Sequence, residues 1–227
     1  MSEIHTRKPR SDGERSRNAI LREAAKLATV EGLSGLSIAR LADAVGMSKS
    51  GLFAHFGSKE ELQLATIDTA AVIFEDEVVA PTRAVPRGLE RLRALSERFL
   101  WHVEEMVFPG GCFFASVLAE VDTHPGPVRD RALATVVAWT GELVAAARDA
   151  QAEGDLDPAE DVEQLVFELD AVLLMANAMF VVVRSPEPIE RARVAVERRL
   201  AAASPRVVRE DASVDDEVRA GDPAGSR

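Results

Sequence analysis

From Ala19 to Ala203 the apolar residues recur at three- and four-residue intervals, and Gly and Pro punctuate the runs. This period marks one face of an α-helix, whereas a half-buried strand would alternate every second residue. Ala19, Ile20, Ala24, Leu27 and Ala28 form the first such face, ending near Gly32. Ser37 is placed to cap a second helix with Ile38, Leu41, Ala42 and Val45 inward, and Gly46 stands at the turn after it. Ser48 caps a short third helix through Phe56, and "SKEE" (58–61) is a capping box opening a fourth that runs towards Pro81. Longer segments follow: 88–108, 112–124, 128–154, 157–184 with Asp157 read as its cap, and 187–203. The expectation is an all-α protein of about nine helices.

Charge divides the chain more sharply than hydrophobicity does. Residues 1–60 hold ten Lys+Arg against seven Asp+Glu, a net of +3; the rest hold 17 against 31, a net of −14. All four lysines, Lys8, Lys26, Lys49 and Lys59, lie in the basic part. A net positive charge at one end of a chain with formal net charge −11 suits a small module that meets a polyanion, carried on an acidic body. The single cysteine, Cys112, excludes an internal disulfide and favours a reducing interior; it reads as a small buried residue. The polar N-terminus lacks a secretory h-region, and the longest nearly uncharged apolar run, 171–183, is 13 residues, short for a bilayer span. A soluble, cytoplasmic protein is expected.

"SIARLADAVGMSKSGLFAHF" (37–56) has helix-turn-helix spacing. Ala42 is small where the second helix approaches, Gly46 follows four residues later, and Leu41, Val45, Met47 and Leu52 supply the apolar seam. The second helix would present Ser48, Lys49, Ser50 and Gly51 to a major groove. The four histidines, His5, His55, His102 and His124, are not at metal-ligand spacing. No phosphate-binding glycine loop or hydrolase motif is present, so no catalysis, metal or cofactor is expected.

Over residues 15–64, through "AAKLATVEG", the helix-turn-helix and "FGSKEEL", the chain resembles the DNA-binding domain of the TetR family of bacterial repressors. The resemblance implies a homodimer reading a palindromic operator in double-stranded DNA, released when a small molecule fills a C-terminal cavity. It implies contacts to DNA from Ser37, Arg40, Ser48, Lys49, Ser50, Gly51, Phe53, His55 and Lys59. Phe53 departs from the tyrosine common at its position, which removes a phosphate-binding hydroxyl. Ser37 and Ser58 are expected to act first as helix caps.

The domain plan is a basic arm (1–14, with Arg7, Lys8 and Arg10), the DNA-binding domain (15–62), a ligand-binding and dimerisation domain (63–203) and a disordered acidic tail (204–227). Expected around the cavity are Phe99, Val103, Met106, Phe113, Val117, Trp139 and Met175, with His102 and Asn177 as polar groups. The apolar helix 162–183 and the last helix, with Ile189, Val194 and Val196, are expected to form a four-helix dimer interface. Two other functions fit the same sequence: an activator with the same DNA module, or a helical small-molecule-binding protein without sequence-specific DNA binding.

Overall fold

The computed structural model describes residues 12–121 and 125–205, and these form nine helices and no strand. They are α1 (Asp12–Glu31), α2 (Ile38–Val45), α3 (Lys49–Phe56), α4 (Lys59–Phe74), α5 (Leu89–Glu104), α6 (Phe113–Val121), α7 (Pro127–Glu153), α8 (Val162–Val183) and α9 (Glu187–Ala203). A wide π-type turn, Glu75–Val79, and a last turn, Ala80–Thr82, continue α4. Most of the arm expected over 1–14, residues 1–11, and most of the acidic tail, 206–227, lie outside the described residues, and residues 12–14 belong to α1 rather than to an arm.

Caps set the boundaries of the small helices. Ser37 Oγ accepts from the Arg40 amide, Ser48 Oγ from the Gly51 amide and Ser58 Oγ from the Glu61 amide. Each satisfies an amide that the first helical turn leaves without a partner. Gly46 ends α2 at φ +67°, left-handed backbone that a side chain would strain, and so turns the chain into α3. Ile20, Leu21, Ala24, Leu41, Ala42, Leu52 and Phe56 close the core of this head. The start of α8 differs from the sequence expectation. Asp157 caps only a turn, its carboxylate accepting from the Ala159 amide, and the helix begins after Asp161, whose side chain accepts from the Gln164 amide. Asp157 and Asp161, four residues apart, look alike as caps in the sequence, and the helix starts after the later one.

Helices α5, α7 and α8 bundle around Leu92, Phe99, Leu143, Leu165, Leu169 and Leu173, and α4 and α6 close one end. Arg193 on α9 bridges to Glu97 and Glu104 on α5, both at 2.8 Å, and Arg199 pairs with Glu160 and Glu168. By length and apolarity α8 meets the requirement for crossing a membrane, with 22 residues and an 18-residue stretch of mean hydropathy 2.0. Its inner face nevertheless packs in the bundle, and Asn177 is buried there with its Oδ1 accepting from the Cys112 amide at 2.7 Å.

The α1–α2 turn joins head to body. Glu120, near the end of α6, accepts from the amides of Leu33 and Ser34, each at 3.0 Å. From α4, Gln63 donates to the Leu33 carbonyl at 2.8 Å and Lys59 to the Ser34 carbonyl at 2.6 Å. Nearby, Gly110 N donates to Thr29 Oγ1, and a Cβ on Gly110 would stand 1.9 Å from the Thr29 carbonyl oxygen. Only glycine permits that approach.

His102 is buried between Phe74 and Phe108, with ring centroids 5.7 Å from each, and neither ring nitrogen has a hydrogen-bond partner among the described residues. Burial, reinforced by the charge of Arg98, lowers its pKa from 6.5 to about 4. The unfolded chain therefore binds the proton first as pH falls. The contribution of His102 is complete above about pH 6.5 and is withdrawn between 6.5 and 4, roughly 3 kcal/mol in all. Urea unfolding at pH 7.5 and 4.5 is expected to show a steeper loss of stability in the wild type than in His102→Leu.

Candidate nucleic-acid interface and effector pocket

One side of α3 is built into the head and the other is bare. Leu52 and Phe56 are buried, and Arg17 covers the Phe56 ring at 5.0 Å. Lys49, Ser50, Phe53 and Ala54 are exposed, Phe53 by 54%. Ser48 spends its oxygen on the cap, 3.3 Å from Ser50 Oγ, while Gly51 and His55 are half-buried and His55 tilts against Phe56. The bare face thus combines a cation, a hydroxyl and an apolar ring at the start of a helix whose amides point outward. That is a surface able to meet phosphates and base edges.

The neighbouring groups are more committed than the sequence indicated. Ser37 serves the α2 cap, and Arg40 forms a forked pair with Glu31, Nε to Oε2 at 2.9 Å. Lys59 gives one of its three N–H donors to Ser34 and, being exposed, keeps the others for solvent or phosphate.

In the body, a void of about 50 Å³ lies where α4, α5, α6, α7 and α8 meet. Phe74, Phe99, Phe114, Trp139 and Asp170 are among its walls. The Phe99 ring stacks with Trp139 at 5.8 Å, and Phe74 stands edge-on to Trp139 at 5.3 Å. The indole N–H of Trp139 donates to Asp170 Oδ1 at 2.9 Å. Burial raises the Asp170 pKa from the ordinary carboxylate range, and the indole N–H opposes that shift. Burial likewise pushes the Cys112 thiol up to about 11, keeping it protonated.

Of the residues expected around a cavity, Phe99 and Trp139 line this void. Val103, Phe113, Val117 and His102 are buried in the surrounding core, and Asn177 is held by the Cys112 amide. Met106 lies at the surface beside Arg184, and Met175 is 62% exposed on the outer side of α8. Asp170, Phe74 and Phe114 were absent from the sequence expectation. The signal available for Asp170 was a lone acid opening the apolar run 171–183.

A larger concavity, about 550 Å³, runs along the outside between α8 and α9 and is lined by Ala171, Met175, Met179, Val183, Pro188 and Ala195. Around it Phe167, Leu174, Val182 and Val194 are exposed, so one apolar stripe follows α8 over most of its length. Ile189 and Val196 turn the other way, into the protein's own core.

Two domain families match the chain. "Bacterial regulatory proteins, tetR family" covers residues 20–66, and "Tetracyclin repressor-like, C-terminal domain" covers 88–196. No curated protein matches the sequence. Among solved structures, a TetR transcriptional regulator from Chloroflexus aurantiacus is 24% identical with a TM-score of 0.77, over 83% of this chain and 96% of that one. AibR, in complex with isovaleryl coenzyme A and operator DNA, is 25% identical with a TM-score of 0.64, over 79% and 94%. A transcriptional regulator from Saccharomonospora viridis, in complex with choline, is 20% identical with a TM-score of 0.68, over 83% and 96%. Both the head and the body are matched by domains of one family, and the protein belongs to the TetR family of bacterial regulatory proteins.

Proposed function

We propose that this regulator is a cytoplasmic homodimeric repressor, binding a palindromic operator through α3 of each subunit and released by a small molecule held in the body. The observation that carries the reading is the bare face of α3, with Lys49, Ser50 and Phe53 exposed on a helix otherwise locked into the head. AibR, which was solved with both an acyl-coenzyme A and operator DNA, supports joining the two kinds of ligand in one chain. Lys49, Ser50 and the free donors of Lys59 take phosphate and base-edge contacts, and Phe53 offers an apolar surface to a thymine methyl. Ser37 and Ser48 act through their caps, Gly51 lets the backbone come close, and Arg40 and His55 flank the contact.

A single copy supplies one reading helix, and a palindrome needs two held at a fixed spacing. The exposed stripe of α8, with Val194 on α9, supports pairing with a second copy, because apolar surface that continuous is costly in water. Release follows if the occupied state favours a head spacing that no longer fits successive grooves; the effector then acts through its differential affinity for two states. The void touches α4 through Phe74 and α6 through Phe114 and Leu118, and the same two helices grip the α1–α2 turn.

Selection of bound duplexes from a random DNA pool is expected to return a palindrome. Lys49→Ala should weaken binding to it and lower the salt slope, log K against log salt, by about 2 for the dimer. An unenriched pool with wild type and variant alike would favour the ligand-binding body without DNA reading. A reporter under the recovered operator separates repression from activation by the sign of its response. In sedimentation, Met175→Asp should raise the dimer dissociation constant by about a hundredfold or more, since it sets an unpaired charge in the apolar interface.

A further inference from the structure

The walls of this partly open void have a chemical character of their own. Phe74, Phe99, Phe114 and Trp139 give it aromatic sides, and Asp170 is the one acidic group among its described walls. The Asp170 carboxylate has a single hydrogen-bond partner among the described residues, the indole N–H of Trp139, and no Lys, Arg or His pairs with it. Nearby cations are spoken for. Arg98 lies over the Trp101 ring at 3.9 Å and donates to the Glu77 carbonyl, outside the void. Arg199 sits between Glu160 and Glu168. His102, across the Phe74 ring, is neutral at physiological pH.

A negative charge beside aromatic rings, with nothing positive among the described residues to answer it, discriminates among occupants by sign. An anion would be repelled by Asp170, and a neutral molecule would displace its remaining water while offering at most a hydrogen bond and no compensating charge. A cation would gain both the carboxylate and the electron-rich ring faces of a site that is shielded from water on its aromatic sides. The small volume adds a size limit, about 50 Å³ before any side chain moves. Phe74 is the wall able to yield: it precedes the wide turn Glu75–Val79, where the hydrogen-bond register of the helix changes.

We infer that the void is the site of a compact organic cation, an alkylammonium held by the Asp170 carboxylate against the rings of Phe99, Trp139, Phe74 and Phe114. This inference rests on the proposed ligand control of the regulator and adds the charge class of the effector.

Three probes test it, compared at constant ionic strength: tetramethylammonium and neutral tert-butanol, which share size and shape, and the somewhat larger anion trimethylacetate. Trp139 fluorescence, in a Trp101→Phe background, reports occupancy. The expected result is saturable binding of tetramethylammonium, no saturation by the other two, and at least about tenfold weaker binding of the cation to Asp170→Asn. Asparagine can still accept the Trp139 N–H, so the variant removes charge while keeping the bond. Equal response to tert-butanol, preference for trimethylacetate, absence of saturation by the cation, or an unchanged Asp170→Asn would each overturn the inference. Operator binding measured alongside keeps the two claims apart. Cation binding that leaves DNA affinity unaltered would sink ligand control and leave the site standing. Palindrome binding with a failed cation test would sink the charge class alone.

Discussion

Four backbone groups in two residues decide how the DNA-reading head sits on the rest of the molecule. The amides of Leu33 and Ser34 both go to Glu120 on α6, and their carbonyls go to Gln63 and Lys59 on α4. An isolated turn would give these groups to water at little cost. Here each is matched by a side chain from a helix that also lines the void, through Phe74 on α4 and Phe114 and Leu118 on α6. Gly110 pressed on Thr29 adds a third point of contact, and Asn177 on α8 holds the same loop at Cys112. Head, pocket and the proposed dimer helix therefore meet through a few directional bonds. A displacement of either α4 or α6 has to be absorbed at the α1–α2 turn, because packed interfaces switch between arrangements more readily than they stretch.

The acidic body and basic head make sense on the same terms. Counterion release favours positive charge only where phosphates lie, and negative charge elsewhere repels the duplex and narrows the orientations in which the protein docks. The arginines of the body are mostly engaged at home, as Arg193 is with Glu97 and Glu104, and offer little competing attraction. Lys49 stands apart from these as an exposed cation at the start of α3.

Local chemistry was legible in the sequence, and long-range chemistry was not. The caps Ser37, Ser48 and Ser58 and the left-handed Gly46 act within four residues of themselves, so their roles could be read from spacing. The apolar periodicity of α8 announced an unusual helix, yet could not say which side was covered; Phe167 and Met175 face outward while Leu169 and Leu173 face in. Glu120 looked like any acid on a helix, because its partners are 86 and 87 residues away. Met175 and Trp139 are equally apolar in sequence, and only packing places the methionine in the outer concavity and the indole at the void. Asp170 had a local signal, a charge where desolvation is costly, that a search for aromatic residues passes over.

The most direct test of the link between body and head is the distance between the two reading helices in the proposed dimer. Spin labels at Ser50→Cys, with Cys112 replaced by serine, report it by pulsed electron resonance with and without Glu120→Ala. The expected result is a narrow distribution with the helices spaced near one helical turn of DNA, about 34 Å, which broadens in Glu120→Ala while the protein remains a dimer. An equally narrow distribution at the same distance in both proteins would contradict it, and would mean that the head is positioned without the grip of α6 on the α1–α2 turn.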